Sequence, residues 1–261
     1  MNIIRDITLE AQKHLENDDI LLFIGSRQAG KTTVLKQLQA HLESKQERSH
    51  FLNLEDPDYL KFLNESPKNL LKIFPFDLAQ KTYVFVDEVQ YLSDPSNFLK
   101  YMYDEYKGQI KLLVSGSSAF YVDRKFKDSL AGRKRIFYVF TLSFREFLRF
   151  KGEDELARGI GASKSEREKA MAYYREYLLY GGYPRVVLAS SAEKEALLQD
   201  IAYSYIKKDI LEAGVRRDDV FYKLLKMLAS QVGNLVNASE LAATLGVSKT
   251  AIDNYLYILR K

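Results

Sequence analysis

The sequence predicts an α/β fold, a parallel sheet covered by helices, followed by a purely helical region. Five short apolar runs punctuate the first 145 residues, and the segments between them are long enough for crossover helices. From about residue 143 the strand signals stop, and apolar residues recur at spacings of three and four. The runs are "ILLFIG" (20–25), "HFLNLE" (50–55), "TYVFVDE" (82–88), "KLLVSG" (111–116) and "RIFYVFTL" (135–142). They alternate little, as strands buried on both faces do. "SFREFLRF", "SEREKAMAYYREYLLYGGYP" and "VVLASSAEKEALLQDIAYSYIKKDIL" read as helices, while "GEDELARGIGASKSE" reads as a linker and "EAGVRRDD" (212–219) as a second boundary. The expected division is therefore a sheet domain over 1–145, a helical subdomain over 146–213 and a C-terminal helical domain over 214–261.

At 261 residues with 46% hydrophobic side chains, the chain can bury at least one substantial core. It has no cysteine, which excludes disulfides and thiolate metal sites, and His14, His41 and His50 lack ligand spacing. A metal would be held by oxygen. The first residues show no basic start followed by an apolar stretch, and no apolar run approaches the roughly 20 residues of a membrane span, so cytoplasmic residence without a membrane role is expected. The excess of 39 Lys+Arg over 35 Asp+Glu gives +4, too little to imply nucleic-acid binding by itself.

"GSRQAGKT" fits G-x-x-x-x-G-K-[ST] in full, with an apolar strand before it and a helix pattern after it. In that setting the backbone of Gly25, Ser26, Arg27, Gln28, Ala29 and Gly30, continuing into Thr33, cradles phosphate with its N–H groups. Lys31 reaches the β- and γ-phosphates of ATP, and the Thr32 hydroxyl ligates Mg²⁺. The competing reading is a glycine turn beside a surface lysine. "YVFVDEVQ" supplies the acids that hydrolysis needs at a strand end: Asp87 for Mg²⁺, through water, and Glu88 to polarise the attacking water. A carboxylate aimed at water suits hydrolysis better than transfer to an acceptor. Without the loop, the same pair reads as a solvated strand end. Of the serines closing "KLLVSGSSAF", Ser117 is the candidate γ-phosphate sensor; a cap on the next helix is the alternative. "DRKFKDSLAGRKRIF" holds six basic residues between 123 and 135. These form either a solvated face or, at Arg133, a finger acting on a neighbouring subunit's phosphate.

In that order, "GSRQAGKTT", "NLEDP", "VFVDEVQ", "VSGSSA", "LAGRKRI", "TLSFREFL" and "YGGYPRVV" make the chain resemble the archaeal-type AAA+ ATPases, P-loop NTPases related to the STAND ATPases. The resemblance implies an extra strand between the phosphate-loop strand and the "DE" strand. It also implies a helical lid carrying "YGGYP" near the nucleotide, a winged helix after it, and oligomerisation. Members often carry a further C-terminal domain of unknown function, nuclease-like in some of them; the wing and that domain are expected beyond Lys261. Pro184 matches the lid proline, and Arg185 stands where a second arginine sensor sits; the plain alternative is a loop and a helix start. Thr141 departs from the proline common before "LSFREF".

Tyr173, Tyr177 and Tyr180 recur at helical spacing and read better as core than as a base-stacking platform. From 219 to 261 the chain reads as three helices, with apolar faces Ala238, Leu241, Ala242, Leu245 and Ile252, Tyr255, Leu256, Leu259, and with Ser248 capping the last. This suits either a helix-turn-helix offering Lys249 and Asn254 to duplex DNA, here a partial winged helix, or a module for a protein partner. The sequence as a whole predicts a Mg²⁺-dependent ATPase, the alternative being a nucleotide-gated switch or DNA-binding regulator with little turnover.

Overall fold

A computed structural model describes residues 3–77, 79–116, 130–159, 163–205 and 218–259. A short helix, α1 (Asp6–Gln12), precedes strands β1 (Ile20–Ile24), β2 (Arg48–Asn53), β3 (Thr82–Asp87), β4 (Ile110–Gly116) and β5 (Lys134–Tyr138). Between them run α2 (Lys31–Ser44), α3 (Pro57–Glu65), α4 (Leu70–Ile73) and α5 (Pro95–Tyr106). Helix starts follow local chemistry: Asp56 and Asp94 each accept from a first-turn backbone N–H, and proline takes the first helical position of α3 and α5.

All five strands pair in parallel, in the order β2-β3-β4-β1-β5. β4 thus stands between β1 and β3, as the resemblance implies. Side chains alternate between two cores. Ile20, Leu22, Ile24, Val84, Val86, Leu112 and Val114 enter one, with Phe98, Leu99 and Met102 of α5. Leu21, Phe23, Tyr83, Phe85 and Leu113 enter the other, with Val34, Leu35 and Leu38 of α2. Burial on both faces explains why β1, β3 and β4 read as nearly continuous apolar runs. The edge strands β2 and β5 are more polar, as edges that must not recruit further strands are. The fifth strand is shorter than its apolar run: β5 ends at Tyr138, Val139 N–H still donates to Ile24 at 2.7 Å, and the chain then turns away.

The helices α6 (Phe144–Phe150), α7 (Asp154–Arg158), α8 (Lys164–Tyr180), α9 (Pro184–Leu188) and α10 (Lys194–Tyr205) follow. By its contacts the chain divides into two compact units, residues 1–195 and 196–261. Within the first unit, specific pairing joins the two sides of residue 145. Leu142 N–H donates to Gly182 at 2.7 Å, the Tyr177 hydroxyl donates to the Leu142 carbonyl at 2.9 Å, and Glu146 of α6 forms a buried ion pair with Arg5. Tyr173 and Tyr177 pack their rings on Phe147, so these tyrosines serve the core. The second unit has its own core, in which Val220, Phe221 and Leu224 of α11 (Asp218–Ser230) meet Leu241 and Ala242 of α12 (Ala238–Leu245) and Ile252 and Tyr255 of α13 (Lys249–Leu259). Gly246, at φ +66°, ends α12, and the Ser248 hydroxyl accepts from Ala251 N–H at 3.2 Å at the start of α13. Among the described residues, no helix is long and apolar enough to cross a membrane.

Candidate functional site

The parallel register determines what meets at the carboxyl ends of the central strands. Ile24 lies beside Gly116, and Val86 beside Val114, so the loop after β1, the end of β4 and the acidic end of β3 converge. Gly25 opens the loop, because a side chain there would collide with the Val139 carbonyl oxygen. Gln28 and Gly30 both take positive φ, 61° and 101°. Gly30 is the N-cap of α2 and supplies no side-chain cap, which leaves first-turn N–H groups of α2 for a ligand. Lys31 is buried, and its Nζ donates to the Gly25 and Ser26 carbonyls at 3.0 and 2.8 Å, holding the ammonium inside the loop.

The Thr32 hydroxyl donates to Asp87 Oδ2 at 2.7 Å. The other carboxylate oxygen, Oδ1, accepts from the Ser115 hydroxyl, and Ser115 Oγ in turn accepts from the Glu88 backbone N–H at 3.0 Å. Asp87 is only 3% exposed. Burial pushes its carboxyl pKa above the usual value, opposed by the hydrogen bonds from Ser115 and Thr32 and the charge of Lys31, with neighbouring Glu88 adding to the rise. Glu88 sits in the left-handed region (φ 59°, ψ 48°), a conformation that costs a non-glycine residue about 1–3 kcal/mol. Its carboxylate accepts from the Gln90 side-chain amide.

A hydroxyl and a carboxylate are hard oxygen donors of the kind Mg²⁺ takes, and a cation there would neutralise the charge that burial disfavours. Among the described residues, no group of three His, Cys, Asp or Glu side chains could hold a metal.

The structure brings together Gly25 through Thr33, Asp87 and Glu88. It also brings in Pro184, whose Cγ lies 3.9 Å from where a Gly30 Cβ would stand. Arg185 is exposed on α9. Ser117 lies outside the described residues; Ser115, two positions earlier, is the serine that touches the acidic pair. Arg133 is at the other end of the sheet. Its carbonyl accepts from Ile20 N–H at 2.8 Å where β1 begins, and its guanidinium pairs with Asp104 at 2.8 Å over the Tyr103 ring. It therefore cannot reach the loop of its own chain.

Arg5 and Glu146 are additions that sequence reading missed. Arg5 is 4% exposed; it donates from Nε to Glu146 Oε1 at 2.8 Å, from Nη1 to the Ala29 carbonyl at 2.9 Å and from Nη2 to the Phe140 carbonyl at 3.0 Å. Burial works to raise the Glu146 pKa, but the Arg5 guanidinium and the Ser143 and Asp6 N–H groups outweigh it and hold the carboxyl below its usual range. Ser143 and Glu146 also form a capping box, a pattern visible in "SFRE".

Residues 17–148, just over half of the chain, match the AAA domain family, and residues 171–261 match a domain of unknown function (DUF8612). The sequence is 28% identical to an uncharacterized protein of Haemophilus influenzae over 246 residues, covering 92% of this chain and 58% of that one. It is 25% identical to the uncharacterized protein MJ1544 of Methanocaldococcus jannaschii over 260 residues, covering 97% and 56%. The chain thus spans little more than half the length of these relatives. Among solved structures, the ORC2 protein of Aeropyrum pernix in ADPNP–ADP complexes is similar with a TM-score of 0.49 at 14% identity, covering 98% of this chain and 86% of that one. The replication initiator DnaA bound to AMPPCP and single-stranded DNA is similar with a TM-score of 0.45 at 13% identity, covering 98% and 88%. The AAA match spans the phosphate loop, the acidic strand and Ser115, and the chain belongs to the AAA domain family.

Proposed function

We propose that the chain is a Mg²⁺-dependent ATPase that couples its nucleotide state to a DNA or protein partner. The observation that carries this is the 2.7 Å contact between the Thr32 hydroxyl and Asp87, with Glu88 the next residue. It joins the phosphate loop to the acidic strand end in one buried site. In this reading the N–H groups of residues 25–33 and the Lys31 ammonium hold the phosphates, while Thr32 and Asp87 hold Mg²⁺, Asp87 through water. A Mg²⁺ ion held by these residues would supply positive charge against the phosphate oxygens. Glu88 accepts a proton from the attacking water as its oxygen bonds to the γ-phosphorus; the bond to the β–γ bridging oxygen breaks, and ADP leaves with the electron pair. Ser115 fixes the backbone of Glu88 and the carboxylate of Asp87 together. Residues 146–213 act as a lid, with Pro184 and Arg185 on the nucleotide side. Ser117 senses the γ-phosphate, and Arg133 acts on the site of a neighbouring copy in a homo-oligomer.

Residues 219–261 are the proposed partner-binding part. Lys249 and Asn254 are exposed on α13, which suits a groove of duplex DNA, while the few basic residues there suit a protein instead. The test is phosphate release from ATP by the purified chain with Mg²⁺, with chelator, and with added duplex DNA. The proposal expects turnover that needs Mg²⁺; no turnover under any condition would refute it.

One observation favours a second reading. The Glu88 carboxylate already accepts from Gln90, which spends part of its capacity to hold water. A nucleotide-gated switch with tight ATP binding and turnover near zero would fit that arrangement, and comparing affinity with turnover separates the two readings.

A further inference from the structure

From the contacts of Arg5 we infer that this N-terminal arginine is a positioning residue for the phosphate loop, setting the direction of the Ala29–Gly30 peptide. The inference rests on the ATP-binding reading. The loop alone leaves that peptide underdetermined, since Gly30 has no Cβ and sits at φ +101°, where glycine moves between conformations at little cost. A planar trans peptide points its carbonyl and its N–H in opposite directions. The Ala29 carbonyl is taken by Arg5 Nη1 at 2.9 Å, so the Gly30 N–H faces the other side of the loop, where a phosphate would accept it. A flipped peptide would present the carbonyl oxygen to the phosphate instead, exchanging attraction for repulsion.

The clamp is rigid because each of the three guanidinium nitrogens of Arg5 donates a hydrogen bond. Nε binds Glu146 Oε1 at 2.8 Å and Nη2 binds the Phe140 carbonyl at 3.0 Å. Glu146 accepts in addition from the backbone N–H groups of Asp6 and Ser143, each at 3.0 Å. Both side chains of the ion pair are about 5% exposed, 5% for Arg5 and 6% for Glu146. A planar guanidinium can span these three acceptors at once; a lysine ammonium, a point donor on a flexible stem, cannot. The same arginine also ties the loop to α6, the first helix after the sheet.

Arg5→Met alone would strand a buried carboxylate and is a poor test. The informative variants are Arg5→Lys and the neutral pair Arg5→Met with Glu146→Gln, in which glutamine keeps the capping-box acceptor. The expected result is that the pair melts as a folded protein, binds ATP roughly 10-fold or more weakly by calorimetric titration, and keeps its kcat within a few-fold while KM rises. Amide exchange at residues 29–31 in the nucleotide-free chain should be faster by about the same factor, and Arg5→Lys should behave alike. Unchanged loop exchange together with unchanged ATP affinity in a folded neutral pair would overturn the inference. Failure of the wild type to bind ATP would instead overturn the reading on which it rests, and the exchange measurement would then still decide whether Arg5 positions the loop.

Discussion

Lys111 gives a prediction whose size can be worked out. It stands at the start of β4, the end of the sheet away from the phosphate loop, and is 1% exposed, with Nζ donating to the Asn17 carbonyl at 2.5 Å and to the Asp19 carbonyl. Burial, assisted by the charge of Lys81, lowers its pKa from 10.5 to about 8, against the opposing pull of Asp19 and Asp18. Between about pH 8 and 10.5 the unfolded chain therefore binds more protons at this group than the folded chain does, and stability rises with pH. Well below pH 8 both states are protonated, and the group contributes a constant penalty. Taking both pKa values into the linkage relation, stability should increase by about 2 kcal/mol between pH 7 and pH 9.5. For a unit of this size that is roughly 4–8 °C in melting temperature. Tyr83 acts in the opposite sense: burial raises its pKa to about 12, so above about pH 10 the unfolded state ionises first and stability falls. The assay is urea or thermal unfolding across this range for the wild type and Lys111→Met. The wild type should gain stability and the variant should lose that gain. An equal rise in both, or a flat wild-type curve, would refute the assignment.

Four further outcomes are expected. Lys31→Ala should abolish measurable ATP affinity in a calorimetric titration, since it removes the ammonium held inside the loop. Gly25→Ala should destabilise the protein by about 1–3 kcal/mol in urea unfolding, because the added methyl meets the Val139 carbonyl, which is backbone and cannot swing aside. Asn237→Ala should cost the second unit about 1 kcal/mol, read from its melting, because the Asn237 side chain accepts from the Ser239 and Glu240 N–H groups at the start of α12. If residues 219–261 bind DNA, the logarithm of affinity should fall linearly with the logarithm of salt concentration; a flat response would point to a protein partner.

Much of this site was legible in the sequence because its function constrains backbone and side chain together. The loop needs glycine where Val139 approaches and where φ turns positive, and those needs leave a fixed spacing. The acidic pair was legible because two adjacent carboxylates stand out against the unbroken apolar run that they close. The position of β4 between β1 and β3 came from resemblance, since hydrophobic pattern says which residues are buried and not which strands are neighbours. Arg5 left no local signal, because its partner Glu146 is 141 residues away. The division at residue 145 followed a change of periodicity from strand to helix. The contacts that cross that point, through Arg5, Leu142 and Tyr177, join residues far apart in sequence and leave no periodic trace. Of the serines that close the β4 run, Ser115 reaches both acids' residues from the neighbouring strand, a contact between strands that local pattern does not reveal, while Ser117 lies outside the described residues.

In the proposed mechanism Glu88 activates water on a nucleotide held by the loop and Asp87. Its most direct test is phosphate release from ATP with Mg²⁺, comparing the wild type with Glu88→Gln alongside ATP affinity for both. The account predicts turnover in the wild type, loss of nearly all of it in the variant, and ATP affinity alike in the two. Equal turnover in both proteins would contradict it.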